Sequence, residues 1–176
     1  MNDTHFFLPE TKLSRFTTVY ASDSTRHSVR APDGARGQGH YVTGPRRSFS
    51  GGAGLLSTAR DYGRFLQMML NGGVLDGNRI LAPRTVELMT SNQTGTLYAA
   101  EGRGFGLGFS TVERLGADGF RSVDAFGWGG AYGSSYTVDP KERLVIVFMI
   151  QQLPLQSDIA ARFTTLVYQS LVPAGR

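Results

Sequence analysis

Leu144 to Ile150, LVIVFMI, is an unbroken apolar run entered through the turn formers Asp139, Pro140, Lys141 and Glu142. A strand with no polar alternation has no side to give to water, so it reads as a strand covered on both faces. The rest of the chain has to supply that cover. Directly after the run, SDIAARFTTLVYQSL offers Ser157 as an N-cap and sets Ile159, Phe163, Leu166 and Val167 along one helical stripe that can pack on a sheet. Before it, Ala125 to Trp128 and Ser134 to Val138 read as further strands. In GFGLGFSTV, Phe105, Leu107 and Phe109 alternate with Gly106, Gly108 and Ser110, which predicts one more strand with a face open to close approach.

A second source of cover lies upstream. In STARDYGRFLQMMLNGG, Thr58 and Asp61 have capping-box spacing, and Ala59, Tyr62, Phe65, Leu66, Met69 and Leu70 recur at helical intervals until Asn71, Gly72 and Gly73 stop the helix. VLDGNRIL holds an Asp-Gly turn between apolar pairs, and Pro83 opens a second helix that reaches about Ser91. Met1 to about Gly52 shows no sustained period, and Asn92 to Arg103 is a polar loop. So long an irregular segment is usually functional or supported by parts outside it. The order of loops, two helices, three or four antiparallel strands and a helix is an α+β pattern. With one helix adjacent to the strands and no N-terminal strand to manage the sheet's edge, the architecture is incomplete on its own terms.

A chain of 176 residues allows one domain, or a piece of one. Its 40% hydrophobic and 18% charged residues fit a globular protein, and 23 glycines imply many tight turns or close backbone approaches. Cysteine is absent, which excludes disulfides and thiolate metal sites. The opening MNDTHFFLPE carries charge and proline where a signal peptide needs a basic start and an apolar run, and no span approaches the ~20 apolar residues of a membrane crossing. The expectation is a soluble chain without an export address. The net charge of +4 comes almost wholly from arginine, since Lys12 and Lys141 are the only lysines. The arginines are scattered from Arg15 to Arg162 and are not gathered on one face among aromatics, which argues against nucleic acid as a partner.

The usual catalytic motifs are missing. No Gly-x-Ser-x-Gly elbow occurs, and the position three residues before each lysine, where a serine would be needed, holds Pro9 and Val138. His5, His27 and His40 are too far apart for a helix-borne metal pair. GRGFGLGF continues as a strand where a phosphate-cradling loop would open a helix. The spacing of Asp118 and Asp124 is too commonplace to mark a glycosidase pair. What remains is Trp128, Gly129, Gly130 and Ala131. Glycines at a strand edge let a substrate lie along it, and a backbone N–H there can stabilise an oxyanion. A buried tryptophan beside a glycine bulge accounts for the same residues without any chemistry.

Several stretches taken together carry a resemblance: MNDTHFFLP with LSRFTTVYA, then SGGAGLLSTARDYGRFLQMMLNGGVLDGNRILAPRTVELMTSNQ, then GFGLGF, then FGWGGAYGSSYTVDPKERLVIVFMIQ. Over nearly its whole length the chain resembles the C-terminal half of the penicillin-recognising serine hydrolases. These are the class C β-lactamases, the D-alanyl-D-alanine carboxypeptidases and the esterases similar to them. The resemblance implies the C-terminal portion of a β-lactamase/transpeptidase-like fold. Residues 1–103 would be loops and helices of its helical region, and residues 104–176 its antiparallel strands and C-terminal helix. In that family a Lys-Thr-Gly, His-x-Gly or, among esterase-like members, Trp-Gly-Gly motif lies on a strand lining the cleft. Trp128, Gly129 and Gly130 match it as substrate-binding residues, and Ala131 stands where an oxyanion-hole N–H is found. The family's Ser-x-x-Lys and Tyr-x-Asn do not occur, since Tyr20-Ala21-Ser22 and Tyr132-Gly133-Ser134 lack the Asn.

The resemblance therefore implies part of a serine hydrolase that acts on a small ester or β-lactam through an acyl-enzyme. Trp-Gly-Gly favours the ester. Its Ser-x-x-Lys and Tyr-x-Asn would come from a missing N-terminal segment, the chain alone would be nearly inactive, and no metal or organic cofactor is implied. The alternative is a non-catalytic remnant that forms a homodimer through an exposed sheet edge or binds a ligand in the half-cleft.

Overall fold

In the computed structural model residues 1–25, 27–44, 47–97 and 101–172 are described; parts of the two expected loops, at 45–46 and 98–100, lie outside them. The chain opens with a 3-10 turn, Glu10–Arg15, and a small antiparallel hairpin of β1 (Tyr20–Ser22) and β2 (Ser28–Arg30). Helix α1 (Ala59–Leu70) follows, then the hairpin β3 (Val74–Leu75) and β4 (Asn78–Arg79), then helix α2 (Pro83–Thr90). A five-stranded antiparallel sheet comes next: β5 (Arg103–Phe105), β6 (Ser110–Val112), β7 (Phe126–Gly129), β8 (Ser135–Asp139) and β9 (Leu144–Phe148), in that spatial order. Helix α3 (Ile159–Gln169) closes the described chain. Among the described residues no helix is long and apolar enough to cross a membrane.

The helix boundaries follow local chemistry. The Thr58 hydroxyl accepts the Asp61 N–H at 3.2 Å, which satisfies one orphan donor of α1. The reciprocal half of the box is not made. The Asp61 carboxylate instead accepts the Asp3 N–H at 2.7 Å and the Thr4 hydroxyl at 3.1 Å, pinning the N-terminal segment to α1. The end of α1 needs glycine for two reasons. Gly73 has φ 95°, and a side chain there would put its Cβ 2.1 Å from the Leu81 carbonyl oxygen. Asp76 and Gly77, at φ 49° and 77°, make the two-residue turn between β3 and β4.

The core lies between α1 and one face of the sheet, where Leu66 and Met69 meet Phe109, Phe126 and Val138. Burying each such side chain stabilises the fold by about 1.5–3 kcal/mol.

Three expectations change. GFGLGFSTV is not one strand: the chain reverses between Phe105 and Ser110, Gly108 takes φ 97°, and β5 pairs with β6. Alternation of glycine with large residues fits a strand, but glycine is also what a tight reversal requires. The glycine-bearing side is approached closely, though by the end of α2 and the residues just after it: Cβ atoms at Gly104 and Gly106 would fall 2.4 Å from the Asn92 side chain and 2.2 Å from the Met89 carbonyl oxygen. Next, β9 is the edge strand of the sheet, and only Ile146 of its residues is buried. Its uniformly apolar sequence has more cover requested than the described chain provides. Finally, α3 meets β9 through Phe163, whose ring centre is 5.4 Å from that of Phe148, yet Ile159, Phe163 and Leu166 remain exposed.

A polar contact fixes α3 where apolar packing is thin. Asp139, at the end of β8, is fully buried and accepts the Tyr168 hydroxyl at 2.6 Å and the Ser122 N–H at 3.0 Å. Burial pushes the Asp139 carboxyl up, but the hydrogen bonds from Tyr168, Ser122 and Glu142 outweigh it and hold the carboxyl below its ordinary range. A depressed carboxyl pKa contributes stability that is present above the unfolded value, near pH 4, and is lost as the pH falls through the folded value. Replacing Tyr168 by Phe removes one bond to this carboxylate, so we expect a loss of about 1.5–3 kcal/mol in thermal or urea unfolding at neutral pH. The acid transition should move up toward pH 4, read by circular dichroism.

Candidate functional site

Strand alternation sets up the site. Phe126 and Trp128 lie two residues apart on β7 and so point to the same face. Phe126 is buried in the core beneath α1, whereas Trp128 is 51% exposed. The difference comes from where α1 ends its cover. Tyr62, in the first turns of α1, packs edge-on against Tyr136 with ring centres 5.1 Å apart, and Tyr136 is the register partner of Trp128. Beyond that pair the sheet face is uncovered by α1, and a cavity of about 560 Å³ opens.

Three parts of the chain wall the cavity. The sheet contributes Trp128, Gly129, Gly130, Ser134, Ser135, Tyr136 and Val147; the N-terminal segment contributes Leu8, Phe16 and Val19; the loop from Ser50 to Thr58 forms the third side. The last two are tied together, because His5 and Leu56 exchange backbone hydrogen bonds of 2.9 and 2.8 Å. A charged cluster of Asp3, Lys12 and Arg15 sits on this wall. Asp3 binds Lys12 at 2.8 Å and takes a two-pronged contact from Arg15 at 2.9 and 3.0 Å. Arg15 and Lys12 thereby hold the Asp3 carboxyl well below the usual carboxylate range.

The wall carries hydroxyls but no activated nucleophile among the described residues. Ser57 shares its hydrogen bond with the Thr4 hydroxyl at 2.9 Å, and Ser134 donates to the Ile150 carbonyl at 3.0 Å. No hydrogen bond joins either of them to a lysine or a histidine. Two of the wall's tyrosines, Tyr41 and Tyr136, do not supply a base either. Burial and a hydrogen bond with Tyr132 push the Tyr41 phenol up to about 12, and burial with a hydrogen bond to Tyr62 pushes Tyr136 up as well. Both stay protonated at neutral pH.

The turn after β7 decides which amides are available. The Gly130 N–H donates to the Ser134 carbonyl at 2.8 Å, and the Gly133 N–H donates to the Gly130 carbonyl at 2.9 Å. Between them Ala131 is exposed, and its N–H takes part in no backbone hydrogen bond among the described residues. The structure thus brings Trp128, Gly129 and Gly130 together on the cavity wall and sets Ala131 just outside that wall, at the turn. The buried-tryptophan reading fails, because half of the indole is open. Sequence reasoning missed the N-terminal segment and the 50–58 loop as walls; the only signal was that they are long and irregular. It also missed Phe105, whose ring lies 4.8 Å from that of Trp128.

The glycines of this strand have different causes. A Cβ at Gly127 would fall 2.2 Å from the Tyr136 carbonyl oxygen of the neighbouring strand, whereas one at Gly129 would meet nothing closer than the Ser134 carbonyl oxygen at 3.5 Å. Gly127 is demanded by the sheet. Gly129 is not.

This antiparallel sheet, with α1 on one face and α3 on the other, is the architecture of the penicillin-recognising serine hydrolases. The chain belongs to the beta-lactamase family, whose model matches residues 1–169. Among curated proteins it is 36% identical over 178 residues to the protein Rv1367c of Mycobacterium tuberculosis, a match that takes in 92% of this chain and 42% of that protein. The chain thus spans less than half the length of the curated relatives it matches. Among solved structures it superposes on EstCE1, a hydrolase with promiscuous acyltransferase activity, with a TM-score of 0.74 and 22% identity over 94% of this chain and 46% of that one. Simvastatin synthase (LovD) from Aspergillus terreus gives a TM-score of 0.72 at 19% identity, over 98% and 46%. A penicillin-binding protein homologue from Caulobacter crescentus gives 0.63 at 20% identity, over 96% and 48%. At these identities the superpositions establish the fold.

The two glycine environments yield a direct comparison. Gly127→Ala forces β7 and β8 apart and should lower stability by about 1–3 kcal/mol, the usual cost of overpacking. Gly129→Ala should melt within a degree or two of the parent protein, since surface changes away from such features cost under about 0.5 kcal/mol.

Proposed function

We propose that this chain supplies one wall and one oxyanion-hole amide of an acyl-enzyme site that hydrolyses esters. The nucleophilic Ser-x-x-Lys and the Tyr-x-Asn come from polypeptide outside these residues. The observation that carries the reading is the half-exposed Trp128 at the border of a cavity, next to an Ala131 N–H that the sheet leaves unused. In this scheme the serine Oγ attacks the ester carbonyl, the carbonyl oxygen becomes an oxyanion, and the Ala131 N–H meets that charge. The alcohol then leaves with a proton, and water releases the acid from the acyl-serine. Trp128 holds the acyl group, while the bare backbone of Gly129 and Gly130 leaves room for it along the strand end.

An ester is preferred to a β-lactam on two grounds. Trp128-Gly129-Gly130 follows the esterase-like form of the motif, and Lys12 and Arg15, the wall's cations, are both committed to Asp3 and so poorly placed to receive a ligand carboxylate. The match to EstCE1 and to a family VIII carboxylesterase at 19% identity adds support through a shared fold only. A second reading, a binding module that self-associates, draws on β9, which among the described residues pairs only with β8 in its sheet, and on the exposed apolar face of α3. Sedimentation separates them: a dimer that persists after an N-terminal segment is supplied favours the module.

The test is a chromogenic short-chain ester and a chromogenic cephalosporin, assayed with the chain alone and with the chain fused behind a segment carrying Ser-x-x-Lys and Tyr-x-Asn. The chain alone should give no turnover above buffer, and the fusion should turn over the ester in preference to the cephalosporin. In the fusion Trp128→Ala should lower kcat/KM about ten-fold, the loss of roughly half an aromatic side chain's burial. Robust turnover by the chain alone would overturn the proposal.

A further inference from the structure

Trp128 is half exposed and faces a cavity, a setting in which an indole ordinarily samples several rotamers on the picosecond to nanosecond scale. One ring restrains it. Phe105 meets the indole edge to face, with centroids 4.8 Å apart and planes at 80°, and among the described residues no other aromatic ring contacts Trp128. Phe105 is only half buried and is not itself on the cavity wall.

What holds Phe105 is the C-terminal end of α2 together with the Asn92–Gln93 stretch that follows it. The Phe105 carbonyl accepts the Gln93 N–H at 2.8 Å, and the Leu107 N–H donates to the Met89 carbonyl at 3.0 Å. Gly104 and Gly106, on either side of Phe105, let the Asn92 side chain and the Met89 carbonyl press directly on the backbone. The backbone that carries the ring is therefore clamped to the C-terminal end of α2, and the ring reaches across to β7.

We propose that Phe105 is a positioning residue for Trp128. Its ring selects one orientation of the indole, so the width of the acyl side of the cavity is set from α2 and β5, outside the cavity. The second half of this statement rests on the reading of Trp128 as a wall of the acyl pocket; the first half does not. An edge-to-face aromatic pair shifts a rotamer population by about two- to ten-fold. Residue 105 thereby acts on substrate selection without touching substrate.

The chain contains a single tryptophan, so indole fluorescence excited beyond tyrosine absorption reports on Trp128 alone. Phe105→Leu keeps apolar bulk at the site and removes the ring; Phe105→Tyr keeps the ring. A thermal melt first establishes that each variant is folded. In the parent protein the anisotropy decay of the indole should follow overall tumbling, with little sub-nanosecond loss. Phe105→Leu should add a fast component and raise acrylamide quenching about two-fold or more, and Phe105→Tyr should restore parental behaviour. A folded Phe105→Leu with unchanged decay and quenching would overturn the positioning role.

The fusion described above then tests the consequence. Phe105→Leu should shift the dependence of KM on acyl-chain length toward longer chains while kcat for the shortest ester stays close to parental. A loosened indole with an unchanged chain-length profile would overturn the assignment of Trp128 to the acyl pocket and leave its restraint by Phe105 standing.

Discussion

The place where α1 stops covering the sheet governs this structure. Leu66 and Met69 seal the sheet over Phe126 and Val138, and the Tyr62–Tyr136 contact ends that seal. Two residues further along β7 the same face carries Trp128 into a cavity. The buried core and the candidate site are thus one continuous surface, dry on one side of Tyr136 and open on the other. Strand periodicity alone ensures that whatever orients Phe126 inward also orients Trp128 toward the cavity.

Two long-range polar contacts keep this arrangement in place. Asp61 draws the N-terminal segment onto the first turn of α1 and so builds the wall opposite the sheet. Asp139 ties α3 to the end of β8 through Tyr168. Both carboxylates are buried, and both are satisfied by several donors, which is the condition under which a buried carboxylate stabilises a fold. The exposed apolar residues of α3 and the free edge of β9 show where cover is thin, in keeping with a chain that spans 46% of a solved relative such as EstCE1.

Local chemistry was legible in the sequence. The Thr58 cap, the glycine stop of α1, the Asp76-Gly77 turn and Pro83 at the head of α2 each depend on neighbours within a few residues, and each appears where its residue types place it. The Gly108 reversal was misread because alternating glycine satisfies a strand and a hairpin equally well. The apolar β9 run was read as doubly covered because periodicity states how much cover a strand wants, not what the chain delivers. Trp128-Gly129-Gly130 could be singled out, but the opposing walls could not, since the N-terminal segment and the 50–58 loop are irregular and meet the sheet only in three dimensions. The Phe105–Trp128 contact was beyond reach for the same reason: nothing in either stretch encodes the angle at which two aromatic rings from different strands meet.

The central claim is that the reactive hydroxyl belongs to polypeptide outside residues 1–176 and that this chain shapes the pocket around it. Covalent labelling with a fluorophosphonate, followed by peptide mapping, tests it directly. The account predicts no adduct on the chain alone and, in the fusion, a single adduct on the serine of the supplied Ser-x-x-Lys segment. A stoichiometric adduct on Ser57, Ser134 or any other serine of this chain would contradict it.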